Sequence, residues 1–166
     1  MILGMSIGTF TQLHVAISLV GIGSGLIVLF GMIGGLRLPA LTALFLITTA
    51  ATSLTGFLFP FKGMTPGIVI GILSTIVLLL AITARYGAHL RGAWRGTWVI
   101  SAILALYFNF FVLIVQSFEK VPALRRLAPS QSAMPFKLAQ LVALAAFIVL
   151  TVLAMRKFRP ANLRPA

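Results

Sequence analysis

Few side chains in this chain of 166 residues can do chemistry. Its one acidic residue, Glu119, follows an apolar run that carries two amides, Asn109 and Gln116. The spacing of these three places them on one helical face. Amides in such a run either bond across helices, at about 0.6 kcal/mol on average, or line a polar pocket for a small ligand. Gln140 and Thr52 are the expected neighbours in that pocket. Glu119 and Lys120 stand just beyond the run. One reading pairs Glu119 with Arg125 or Arg126, for roughly 0–1 kcal/mol if exposed. The other has Glu119 anchor the following segment, which includes Gln131, over the mouth of a bundle.

Enzyme chemistry finds little to work with. One carboxylate besides the C-terminus does not make an acid–base pair, and a lone acid lacks a partnered base or metal. The absence of cysteine excludes disulfides, thiolate metal sites and Cys nucleophiles. Gly21, Gly23 and Gly25 sit inside an apolar run, not in a phosphate-binding loop after a strand. His14 and His89 fall at opposite ends of the spans described below, about 30 Å apart across the hydrocarbon. They cannot ligate one haem within a single copy. The expectation is a protein that is not an enzyme and has no cofactor and no metal site.

The elements that must position these residues are membrane spans. The chain is 60% hydrophobic and 8% charged, with a mean hydropathy of +1.14. A soluble domain carries about 25% charged residues, so lipid must cover this surface. Crossing the hydrocarbon core takes about 20 apolar residues, and five runs qualify: 13–33, 40–59, 66–84, 97–117 and 136–155. They are expected to be helices, since backbone groups in lipid need partners within the segment. The predicted fold is all-α, one polytopic domain over 1–166, a bundle of five transmembrane helices. In the fourth connection, Pro122 suits a first helical turn and Pro129 a stop, so a short interfacial helix is expected there.

The net charge of +12 comes from 13 Lys and Arg against one acid. These residues fall between the apolar runs, where they fit anionic lipid headgroups and not nucleic acid. Arg37, the connection after the third run and the C-terminal tail hold eight Lys or Arg on one side. Lys62, Lys120, Arg125, Arg126 and Lys137 make five on the other. The excess places the N-terminus outside and the C-terminus in the cytoplasm. No basic segment precedes the first run, so it is expected to be a retained span and not a cleaved signal. Five spans do not divide into two equal inverted halves, and the lack of ionisable groups within them argues against an ion-coupled pump.

Helices in lipid pack through small and weakly polar residues. Each run has such a stripe: His14, Ser18, Gly21, Gly25 and Met32; Thr48, Thr52, Thr55 and Gly56; Gly67, Gly71, Ser74 and Ala81; Ser101, Ala105, Asn109, Val112 and Gln116; Gln140, Ala143, Thr151 and Ala154. Gly21, Gly25, Gly67 and Gly71 are the expected helix-packing glycines.

The stretches LTGFLFPF (54–61) and ALYFNFFVLIVQSFEKVPALRRLAPSQSAMPF (105–136) resemble a group of small bacterial integral-membrane proteins. Asn109, Gln116, Pro122, Ala123, Leu124, Pro129 and Gln131 carry most of that resemblance, which covers about a third of the chain. It implies a bacterial inner membrane and supplies no catalytic residues to carry over.

Two functions are consistent with these residues. The first is a non-catalytic protein acting by association, an accessory subunit of a larger inner-membrane complex. Its partners would be membrane lipids and other membrane subunits. It would dock through the glycine faces of the first and third helices, and its outer loop of Glu119, Lys120, Arg125, Arg126 and Gln131 would grip the partner. The second is a binding or transport protein for a lipid, quinone or neutral solute, using Asn109, Gln116, Gln140 and Thr52.

Overall fold

The computed structural model describes residues 1–60, 63, 66–159 and 164–165. Ser6 opens the first helix: its hydroxyl accepts the backbone N–H of Thr9 at 3.1 Å, satisfying one of the orphan donors of a helix start. Helix α1 runs Ile7–Gly34 and stops at Gly35, whose φ of +69° is left-handed. A two-residue strand β1, Leu36–Arg37, leads into α2, Pro39–Phe57, with Pro39 at its first turn. Helix α3, Pro66–Ile82, continues into a wider π-helical turn over Thr83–Gly87. Helix α4 is Trp94–Lys120, α5 is Pro122–Leu127 and α6 is Met134–Lys157. A second two-residue strand β2, Arg164–Pro165, pairs in parallel with β1.

The helix boundaries follow local chemistry. Pro122 disfavours helical backbone at the residue before it. Val121 is accordingly extended (φ −85°, ψ 116°), which ends α4 and starts α5. This is the short helix expected in the fourth connection. α1 begins earlier than its apolar run because Ser6 caps it, although Thr9, Thr11 and Gln12 are polar. Many hydroxyls within the spans bond to their own helix. Ser24 donates to Val20 O at 2.7 Å, Thr52 to Thr48 O at 2.9 Å and Ser117 to Leu113 O at 2.7 Å. No water is needed to satisfy them in lipid.

Helix α4 is central, packing against α1, α2, α3 and α6. Trp98, Val99, Ala102, Ala105 and Leu106 of α4 are buried. They meet Val28, Leu29 and Met32 of α1, Phe45 and Leu46 of α2, Leu78 and Ala81 of α3 and Phe147 and Ala154 of α6 in one core. Gly25 lets three helices meet: a Cβ there would lie 2.7 Å from Leu106 Cδ1 and 2.8 Å from the Phe45 ring. Outward, Ile47, Leu54, Leu79, Leu141 and Val142 are all at least 60% exposed, an apolar shell suited to lipid.

Two expectations about faces change. The buried row of α2 is Thr42, Phe45, Leu46, Thr49 and Ser53, whereas Thr48, Thr52, Thr55 and Gly56 are half-buried. Thr48 and Thr55 lie toward α1, where Thr55 Oγ1 is 2.7 Å from His14 Nδ1 and Thr48 lies against Gly21. Gly67 is exposed in the first turn of α3 and is not a packing glycine. Gly71 packs on the Phe57 ring, 3.1 Å from its would-be Cβ. Lys62, counted in the orientation argument, lies outside the described residues.

Candidate functional site

The antiparallel order gives the bundle two ends. At the loop end stand the start of α1, the α4–α6 connection and Glu119. At the tail end stand β1, the π turn, the start of α4 and the end of α6.

Gln131 Nε2 donates to Glu119 Oε1 at 3.1 Å, closing the segment after α4 over twelve residues. The bond Glu119 makes is thus to the loop's own amide. Phe118 and Phe136 meet edge to face at 5.6 Å beneath it. Lys120, Arg125 and Arg126 are exposed around this segment.

None of the four residues of the predicted polar pocket lines either of two cavities of about 440 Å³ in the bundle. Asn109 is buried and donates to Thr49 Oγ1 at 3.4 Å, across to α2. Gln140 donates to Phe111 O at 3.2 Å, tying α6 to α4. Thr52 bonds back to its own helix, and Gln116 is half-buried further along α4. Two of the four therefore serve as cross-helix ties.

The tail end holds a cavity of about 440 Å³ that the sequence did not announce. Its floor is apolar: Val28 and Met32 of α1, Leu38 just before α2, Leu90, and Phe158 after α6. Thr42, 2% exposed, adds a hydroxyl to the lining. Its polar wall is Arg37 of β1 with Arg85, Tyr86 and His89 of the α3–α4 connection. These come from two connections that the topology brings to one end.

Local backbone sets that polar wall. The π turn carries Arg85 and Tyr86 and is closed by Ala88 N–H on Thr83 O at 2.8 Å. Such turns recur at functional sites. Beyond it, His89 and Leu90 are left-handed, with φ of +50° and +59°, and Leu90 N–H reaches back to Ala84 O at 3.0 Å. Non-glycine residues held there cost on the order of 1–3 kcal/mol each, a strain that clusters at ligand clamps. Arg85 lies over the Trp98 ring at 4.8 Å and the Tyr86 ring at 5.8 Å. Two aromatic faces, not a carboxylate, thus hold this guanidinium.

The site has a cationic wall above an apolar floor. Glu119 is twenty-one residues beyond Trp98 on α4, about 30 Å along a helix, so no acidic side chain takes part. Among the described residues no group of three His, Asp or Glu could hold a metal ion. His14 is separated from Met32 at the cavity by eighteen residues of α1, about 27 Å, which keeps the two histidines apart as expected. The signal for this site was in the sequence: Arg37 and Arg85 with His89 must share an end once five spans are accepted. Read singly, they were topogenic charges.

Fold and composition together define a multi-pass helical membrane protein, with five helices long and apolar enough to cross a bilayer. No family model, curated protein or solved structure matches the chain.

Proposed function

We propose that this is a non-catalytic integral-membrane protein that binds a membrane amphiphile, a lipid or quinone-like molecule, in the tail-end cavity. Its setting is a bacterial inner membrane with the tail end cytoplasmic. The observation that carries the reading is the cavity itself: about 440 Å³ at a bundle end, with a cationic wall over an apolar floor. That polarity matches a molecule whose head stays at the interface and whose chain stays in hydrocarbon.

Action as an accessory subunit is the rival, and its expected contact faces are largely used within the chain. Gly21 lies against Thr48 and Thr49, Gly25 against Phe45 and Leu106, and Gly71 against Phe57. A partner would have to dock elsewhere.

Extraction in mild detergent, a native gel and mass spectrometry of the band test the choice. The expected result is a band free of other proteins that retains about one amphiphile per chain, lost when the cavity is filled by Val28→Trp. A band with stoichiometric larger proteins and no retained amphiphile would replace this reading with the accessory-subunit one.

A further inference from the structure

Thr42 differs from most hydroxyls of the spans. Ser24, Thr52 and Thr75 donate to carbonyls of their own helices. Thr42 is 2% exposed and its backbone N–H is bonded to Leu38 O at 2.9 Å, yet its hydroxyl has no hydrogen-bond partner among the described residues. It lines the tail-end cavity. A buried hydroxyl left unpaired is costly, so its place on a cavity wall marks where a polar atom of a ligand belongs.

A second donor faces the same space. Arg85 is half-buried and held by the faces of Trp98 and Tyr86, 4.8 and 5.8 Å from its guanidinium carbon. Ring faces attract the cation but accept none of its in-plane N–H donors. Arg37 already has an interaction of its own within the chain. The lining is therefore not a paired-arginine clamp for an anion. It sets one buried hydroxyl and one ring-held guanidinium around an apolar floor.

On the reading that the cavity binds an amphiphile, we propose that its ligand is of the quinone class: an uncharged ring with two carbonyl oxygens and one apolar chain. One carbonyl accepts from Thr42 and the other from Arg85, while the chain lies along Val28, Met32 and Phe158. A volume of about 440 Å³ lies within the range of about 300–1,000 Å³ that encloses drug-sized ligands, and it suits one ring and one chain better than a two-chain phospholipid. Thr42 is then the residue that selects a carbonyl-bearing head.

Native mass spectrometry of the full-length chain in detergent tests this with three probes: a decyl-substituted benzoquinone, decylbenzene and phosphatidylglycerol. The expected result is one saturable equivalent of the quinone, held at least about tenfold more tightly than either other probe. Thr42→Val keeps the shape and removes the hydroxyl. It should weaken the quinone about tenfold, the worth of one hydrogen bond, and leave decylbenzene unchanged. Thr42→Ser should restore the quinone, and Thr75→Val, which removes a hydroxyl outside the cavity, should not affect it. The melting temperature of ligand-free Thr42→Val should equal or exceed that of the native chain, since no bond within the chain is lost. If Thr42→Val fails to fold, the quinone's margin over decylbenzene on the native chain decides the matter. Unchanged quinone binding in a folded Thr42→Val would overturn the contact and assign the hydroxyl to water, while tighter phosphatidylglycerol than quinone would overturn the uncharged head. Both of those leave an amphiphile site standing. Saturable binding of no probe, with no amphiphile retained on extraction, would overturn the amphiphile reading as well.

Discussion

Gly23 and Gly25 are two residues apart on α1 and face opposite fates. A methyl group at Gly25 would strike Leu106 and Phe45 at under 3 Å, whereas Gly23 has open space around it. Gly25→Ala should therefore cost about 1–3 kcal/mol of stability through overpacking, and Gly23→Ala should cost less than about 0.5 kcal/mol. Thermal unfolding of both variants in one detergent checks this, and equal melting temperatures would refute the three-helix contact at Gly25. At this scale the sequence was only partly legible. Asn109 stood out as an amide in an apolar run. Its partner Thr49 did not, because α2 carries hydroxyls at 42, 48, 49, 52, 53 and 55, nearly all round the helix. When hydroxyls can satisfy themselves on their own backbone, composition does not mark the inward one; the neighbours decide it.

Elements are tied at their ends as well as along their faces. Arg95, in the first turn of α4, donates from Nη1 to Met155 O at 2.9 Å and Phe158 O at 2.7 Å. A cation there completes the carbonyls of the α6 C-terminus and opposes its dipole. Arg95→Gln should cost about 1.5 kcal/mol, the low end for bonds to a charged group, since the side chain is half-buried. Hydrogen exchange should speed up at residues 154–158 and stay unchanged in the middle of α6. Uniform protection in the variant would show that the cap is not what holds this end. The five spans and α5 were readable because hydropathy and proline act locally. The π turn was not, since one extra residue in a turn leaves no mark on hydropathy. Which polar residues meet was not legible, because faces were assigned helix by helix, with no knowledge of how the helices rotate against one another.

Across the whole molecule, five spans must put the two basic connections on opposite sides. The chain has no cysteine, so single-cysteine labelling has no background. With Arg91→Cys at the tail end and Ser130→Cys at the loop end, an impermeant maleimide applied to intact cells should label position 130 alone. Position 91 should react only after permeabilisation. Reversed labelling would invert the orientation expected from the Lys and Arg excess, and labelling of both from outside would break the five-span count. The same excess leaves the tail end strongly cationic, with the one acidic side chain about 30 Å away along α4.

The wider turn at Thr83–Gly87 makes the cavity mouth depend on residue count as well as residue identity. Each residue of an α-helix turns the chain by about 100°. Exchanging Arg85, Tyr86 or His89 for another residue would alter the wall and leave its frame standing. Removing any one residue from that turn would let α3 close into ordinary α-register, and the whole polar wall would swing away from the floor together.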